Sequence, residues 1–371
     1  MRRREQRIVA KSLLPQKSQP RRRRRWMWPL VTAFIKVSHW EYWPVYVFYA
    51  PVVPYWLWLS LKARTLFFFS AANPLLPNSG FTLAKKTEIY KLIPEKYYPK
   101  TKLCHVGAAI STLMESLEEG GFRFPLIAKP NIGDRGVQVK LLQNATELVA
   151  YHNRSRVDFL IQEFVDYEYE AGIFYFRIPG EQRGHISGIV SKAYLAVTGD
   201  GRSTIEQLLM AEDRYFIRLP LLRTAYNTLL DDVLPKGARY VLPYGSHCRG
   251  AKFTDVSHRI DDALIDTVDE ICQQIPGFHY GRMDIKFRSW EDLRAGKNFS
   301  VIELNGAASE PAHIYDPSHS VFFAWKEVCR HWRLLYTISK ANSVDRGLKL
   351  MSIPDGVNMM RHHFSNLRLM K

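Results

Sequence analysis

Tyr280-Gly281-Arg282-Met283-Asp284-Ile285-Lys286 and, past a loop containing Asp and Gly, Val301-Ile302-Glu303-Leu304-Asn305-Gly306 decide how this chain is read. Both are apolar strands with acidic side chains embedded in them, over residues 280–287 and 299–304. A carboxylate in such a strand is costly unless a charged partner meets it, which argues against an ordinary core. The strand ends place Asp284, Glu303 and Asn305 as three oxygen ligands. Mg2+ demands hard oxygens and keeps several waters, so two or three such side chains beside nucleotide phosphates suffice.

Two stretches upstream offer what a nucleotide needs besides the metal. Ile127-Ala128-Lys129-Pro130-Asn131-Ile132-Gly133-Asp134-Arg135-Gly136 is a strand end with a lysine, then a loop with two glycines. Glycine lets backbone amides approach phosphate oxygens, and the lysine supplies a point charge. The stretch is not GxxxxGK[ST], which excludes a P-loop; alone, it reads equally well as a plain hairpin. Leu160-Ile161-Gln162-Glu163-Phe164-Val165 is a buried strand with Glu170 shortly after it. Its polar end can offer backbone groups to an adenine edge, and the carboxylate can accept from ribose hydroxyls. An ordinary strand with an acidic turn has the same pattern.

In chain order these elements, with a further lysine in Val190-Ser191-Lys192-Ala193-Tyr194, resemble the ATP-grasp superfamily over residues 82–330. The D-alanine–D-alanine ligase and cyanophycin synthetase branches are the most similar, the latter also through Val197-Thr198-Gly199-Asp200-Gly201-Arg202-Ser203-Thr204-Ile205. The resemblance implies an α+β ATP-grasp fold, two α+β lobes clasping ATP, with ATP and Mg2+ (or Mn2+) as cofactors. It implies that Lys129 and Lys192 contact the phosphates and that the loop with Gly133, Arg135 and Gly136 closes over them. Gln162, Glu163, Phe164 and Val165 would bind adenine, and Glu170, ahead of Glu168, the ribose. Asp284, Glu303 and Asn305 would hold the metal. Arg249, in His247-Cys248-Arg249-Gly250, would face the reacting carboxyl group, a catalytic residue together with Lys192. Residues 199–204 would form a loop on the substrate side. The chain departs from the family before residue 82, where there is little room for the Rossmann-like domain of these ligases. The run Ser309-Glu310-Pro311-Ala312-His313-Ile314-Tyr315-Asp316-Pro317 also replaces a Pro-Gly continuation, and is expected to shape the acceptor pocket.

The formal charge of +16 is concentrated at one end. Residues 1–25 hold nine Arg and two Lys against one Glu, so the remaining body is only mildly basic, which argues against nucleic acid as a partner. Six of the nine Trp follow between Trp26 and Trp58, and the 19 residues from Trp43 to Leu61 carry no charge. That length could just cross a bilayer, but Pro44, Pro51 and Pro54 interrupt it and basic residues flank both sides. A peripheral or re-entrant anchor at the cytoplasmic face of a membrane, contacting it through residues 1–64, is the expectation; a buried core segment is the alternative. A cleaved signal peptide fits poorly, because no small-residue cleavage site closes the stretch. Cys104, Cys248, Cys272 and Cys329 are widely spaced and read as free thiols.

The expected organisation is a basic tail over 1–25, an aromatic membrane segment over 26–64, and a linker with short helices over 65–123. The two lobes follow at 124–190 and 191–330, then a C-terminal helix and basic tail over 331–371. The expected activity is carboxylate–amine ligation through an acyl phosphate, on small-molecule or lipid-linked carboxylate and amine substrates. A kinase acting on a hydroxyl acceptor, and a non-catalytic nucleotide sensor at the membrane, are the alternatives.

Overall fold

The computed structural model describes residues 28–133, 136–193, 195–211, 213–242 and 252–369. Of the residues named above, Asp134, Arg135, Tyr194, His247, Cys248, Arg249 and Gly250, together with Trp26 and the tail over 1–25, lie outside these. In chain order the helices are α1 (Trp28–Ser38), α2 (Val45–Tyr49), α3 (Val53–Ala63), α4 (Lys86–Tyr90), α5 (Ile110–Glu119) and α6 (Ala145–Arg154), then α7 (Ile205–Met210), α8 (Asp213–Tyr226), α9 (Asp262–Gln273), α10 (Trp290–Arg294), α11 (Val321–Asp345) and α12 (Ile353–Leu369). The strands are β1 (Thr101–Cys104), β2 (Leu126–Pro130), β3 (Lys140–Leu142), β4 (Phe159–Glu163), β5 (Tyr169–Phe176), β6 (His185–Ala193), β7 (Ala196–Thr198), β8 (Arg239–Val241), β9 (Lys252–Asp255), β10 (Tyr280–Phe287) and β11 (Phe299–Asn305). Helices begin where a side chain can take up a free amide: Asn144 accepts from Glu147, Asp261 from Leu264 and Ser320 from Phe323. Thr204 and Gln207 close a reciprocal capping box on α7. Antiparallel sheets beside helices make a mixed α and β fold.

The chain divides into two compact units, one from residues 46–192 with 253–371, the other from 28–45 with 193–252. The larger unit holds a five-stranded sheet in the order β11-β10-β5-β6-β9 and a four-stranded one in the order β1-β4-β2-β3. Period-two alternation gives the five-stranded sheet two characters. On one face Met283, Ile285 and Phe287 of β10 join Ala171, Ile173 and Tyr175 of β5 against Leu264, Val268 and Ile271 of α9. On the other, β10 carries Tyr280, then Arg282, Asp284 and Lys286. The Tyr280 end of that face is covered by an apolar cluster with Phe174, Phe68, Phe69, Leu335 and Ile338. The charged end is the site. The four-stranded sheet buries Leu126, Ala128, Phe159 and Ile161 with Leu113 and Leu117 of α5 and Leu148 of α6.

The smaller unit contains the β7–β8 ribbon and a core of Val197, Ile205, Leu209, Leu219 and Leu230. In it, α1 turns Ile35 inward and leaves Leu30, Phe34 and Val37 exposed, a stripe at helical spacing.

Two segments differ from their reading in sequence. The uncharged stretch breaks at its prolines into α2 and α3, and α3 is only half free. Leu59 is buried, with Tyr55 and Trp56 packed beside it, in the cluster that covers the sheet, while Val53, Leu57, Trp58 and Leu61 face outward. The terminal stretch read as a basic tail forms α12, which puts Met359 into the same cluster. Among the described residues no helix is long and apolar enough to cross a membrane.

Candidate functional site

Three neighbouring strands carry the charged face, and their register aligns it. Asp284 of β10 lies opposite Gly172 of β5 and Glu303 of β11; Arg282 lies opposite Asn305, and Lys286 opposite Glu170. Gly172 is required by closeness: a Cβ there would stand 2.9 Å from Asp284 Oδ1 and 3.0 Å from Arg282 Cδ. Between Asp284 and Ile285 the β10–β11 register shifts, so Ile302 is an extra residue on its strand. Its carbonyl accepts from Tyr90 Oη at 2.6 Å and from Lys129 Nζ at 3.4 Å. Bulges of this kind re-aim groups beside active sites.

The positive groups fall into three sets. Lys129 is buried at the end of β2 and donates to Tyr90 Oη at 2.7 Å and Gln162 Oε1 at 2.8 Å. Burial pushes its pKa down to about 8, against a smaller opposing pull from Glu303. Lys192 bridges two carboxylates, Asp284 at 2.7 Å and Glu170 at 3.2 Å. Burial works against the charge of Asp284, but Arg282 at 2.9 Å and Lys192 more than offset it and hold its pKa below the usual range. Burial lowers the pKa of Lys192 and the two carboxylates overcome that, leaving it raised. Lys86 forms the third set: it donates to the Gly133 carbonyl at 2.7 Å and pairs with Glu303 at 3.5 Å.

The structure therefore brings together Lys129, Gln162, Gly133, Glu170, Lys192, Asp284, Glu303 and Asn305, from segments far apart in sequence. Glu163 ends β4, with its amide on the Lys100 carbonyl. Beyond it the Val165 carbonyl accepts from Lys286 Nζ at 2.9 Å, and the same ammonium lies 5.3 Å from the Phe164 ring centre. Gly136 turns the loop with a positive φ of 66°. The Gln162 side chain is occupied with Lys129, Tyr90 and Thr101, and its strand lies between β1 and β2, with Gln162 paired to Thr101 on one side and Ile127 on the other.

Four contributors were missed as such: Lys86, Tyr90, Arg282 and Lys286. Arg282 and Lys286 were legible, since a period of two puts them on the face of Asp284. Lys86 and Tyr90 gave no signal, because both sit in a short helix that reads as ordinary surface and core.

A divalent cation suits the donor set. Asp284 and Glu303 are directly opposed across the strand pair, with Asn305 two residues beyond Glu303, and a divalent cation would take the carboxamide oxygen of Asn305; its Nδ2, a donor and no metal ligand, is buried without a hydrogen-bond partner among the described residues. Among the described residues no three of His, Cys, Asp and Glu gather into a metal-sized cluster; this set has two carboxylates and an amide.

No protein-family model matches the chain, and no curated protein matches it. Among solved structures it is similar to a bifunctional glutathione synthetase from Pasteurella multocida, 12% identical over 71% of this chain with a TM-score of 0.41; the match spans 37% of that protein. It is similar to the VanG D-Ala:D-Ser ligase from Enterococcus faecalis at 13% identity over 68% of this chain and 61% of that one, TM-score 0.40. A D-alanine–D-alanine ligase from Bacillus anthracis matches at 15% identity over 71% and 68%, TM-score 0.38. At scores below 0.5 the likeness is loose, and it bears neither on the activity nor on the role of any residue.

Proposed function

We propose that the chain binds Mg-ATP on the charged face of its five-stranded sheet and uses it to join a carboxylate to an amine, at a membrane surface. One observation carries the reading: Lys129, Lys192, Asp284, Glu303 and Asn305, picked out in sequence as phosphate and metal groups, stand on one sheet face and its border. Buried charge in mutual pairs is a poor way to gain stability, so its concentration there favours a site over a structural network.

The ATP-grasp resemblance supplies the reaction. A carboxylate resists amines because oxide is a poor leaving group. Transfer of the γ-phosphoryl group from ATP to a carboxylate oxygen gives ADP and an acyl phosphate. The amine nitrogen then attacks the carbonyl carbon, the C–O bond to phosphate breaks, and the nitrogen loses a proton as the amide forms. Lys129 and Lys192 would hold phosphate oxygens while charge shifts among them, and Lys86, already on the Gly133 carbonyl, would fix the loop over them. Arg249, outside the described residues, would stabilise the carbonyl oxygen as it becomes anionic. Asp284, Glu303 and Asn305 would hold Mg2+, which neutralises phosphate charge when bound. Attachment to the membrane is supported by the outward apolar stripes of α1 and α3 and by the arginines that precede them in sequence.

The test is calorimetry with ATP and Mg2+, then isotope tracing once an acid substrate is found. Wild-type protein should bind ATP only with Mg2+, and Glu303→Gln with Asn305→Ala should abolish turnover while the fold survives. Heavy oxygen placed in the acid's carboxylate should appear in the released phosphate. Label that stays in the acid, beside a lasting phosphorylated product, would point to a kinase instead.

A further inference from the structure

The loop that follows the proposed metal-holding strand presents a carboxylate of an unusual kind. Glu310 is half-buried and lies five residues beyond Asn305. Ser309 Oγ donates to the Asn305 carbonyl at 2.7 Å and accepts from the Arg282 amide at 3.3 Å, which fixes the loop to the strand ends. Just before Ser309, the amides of Ala307 and Ala308 donate to the carbonyls of Ser79 and Gly80. Glu310 is thus held in place by the backbone that places Asn305.

Its own partners are neutral. Tyr49 Oη donates a short hydrogen bond to one carboxylate oxygen, and Tyr315 Oη donates to the other at 3.1 Å. Among the described residues no ion pair is made to it. Its charge does reach Arg282, whose guanidinium burial would weaken but Asp284, Glu303 and Glu310 together strengthen. Tyr49 is no loose neighbour: its ring stacks on Trp332 at 5.9 Å, and Trp325 Nε1 donates to the adjoining Phe48 carbonyl at 2.8 Å. Burial and the Glu310 charge both keep the Tyr49 phenol protonated, and so a donor.

Two phenols orient a carboxylate without cancelling its charge. A half-buried anion held this way favours a cation with N–H groups to donate, and offers much less to a neutral hydroxyl. We propose that Glu310, set by Tyr49 and Tyr315, is the seat for a protonated primary amine of the acceptor, so that the site selects amine-bearing over hydroxyl-bearing acceptors. This rests on the ligase reading for the word acceptor; the cation seat itself rests only on the geometry. No bond is made or broken at Glu310; the seated ammonium loses one proton to water before it attacks, and the nitrogen loses a second as the amide forms.

The experiment uses the full-length chain with Mg2+ and a non-hydrolysable ATP analogue, titrated by calorimetry and thermal shift. The probes are ethanolamine and glycinamide, with ethylene glycol and glycolamide as hydroxyl counterparts. The amines should bind and their counterparts should not. Glu310→Gln should weaken amine binding about tenfold or more, and Tyr49→Phe about threefold, since each removes part of one charge-assisted contact. Unliganded melting temperatures within a few degrees of wild type would show that both variants fold. Amines that fail to bind wild-type protein, or that bind Glu310→Gln as well as wild type, would overturn the proposal. Amine binding that survives when ATP binding is absent would remove the ligase reading and leave the seat standing.

Discussion

Lys129 is the residue whose environment makes the sharpest demand. Its ammonium is held by neutral oxygens alone, and burial brings its pKa from 10.5 down to about 8. Between those values the unfolded chain binds more protons than the folded one, so the burial cost of this charge is full below pH 8 and fades as pH rises toward 10.5. Stability from this group should therefore increase across that window, while phosphate binding does the opposite. If the charged form alone holds phosphate, ATP affinity should fall roughly fivefold from pH 8 to pH 9. Calorimetry across that range checks it, and Lys129→Met should bind weakly with a flat profile. Wild-type affinity that stays constant to pH 10 would take Lys129 off the phosphate. At this scale the sequence picks out charged residues that the structure brings near one another, and says little of what they touch. Alternation along β10 puts Arg282, Asp284 and Lys286 on one face, whereas the meeting of Lys192 with Asp284 depends on β5 lying between their strands. No periodicity records the order of strands in a sheet.

Among the elements, residues 65–100, the first part of the linker expected over 65–123, hold only short helices and turns between α3 and β1. What did not show in sequence is that part of this loop is buried, and a buried loop must find partners for its backbone. Asn73 supplies them. Its side chain donates to the carbonyls of Ser79 and Tyr280 at 3.1 and 2.8 Å, and accepts from the amides of His279 and Tyr280 at 2.9 and 3.0 Å. One amide thus ties the loop to the start of β10, 207 residues away. Asn73→Ala should leave several buried groups unpaired and destabilise the protein by about 3 kcal/mol or more. In urea the midpoint should fall with the slope unchanged; a loss under 1 kcal/mol would mean that water or a shifted backbone replaces the side chain. Asn73-Pro74 is visible as turn chemistry, but turn chemistry speaks of the next few residues, and the partners of Asn73 lie on a strand far along the chain.

For the molecule as a whole, the apolar stripes on α1 and α3 bear on where the protein resides. Full-length protein should float with vesicles of phosphatidylcholine and phosphatidylglycerol, and high salt should release little of it, because salt screens charge and not apolar burial. Leu57→Lys with Leu61→Lys should reduce flotation by about tenfold. Both side chains point outward, so each change should alter stability by only about 0.5 kcal/mol. Protein that stays in the aqueous fraction with every vesicle composition would dismiss membrane attachment. The half-buried character of α3 has a further consequence. Cutting the chain near Lys62 removes Leu59, Trp56 and Tyr55 from the cluster over the sheet and Tyr49 from Glu310. A protease, an internal start codon or a recombination breakpoint at that place would yield a damaged protein rather than a freed one. Whatever selects for the outer stripe of α3 therefore acts on the same eleven residues as whatever selects for the core, and the helix must be inherited with its body.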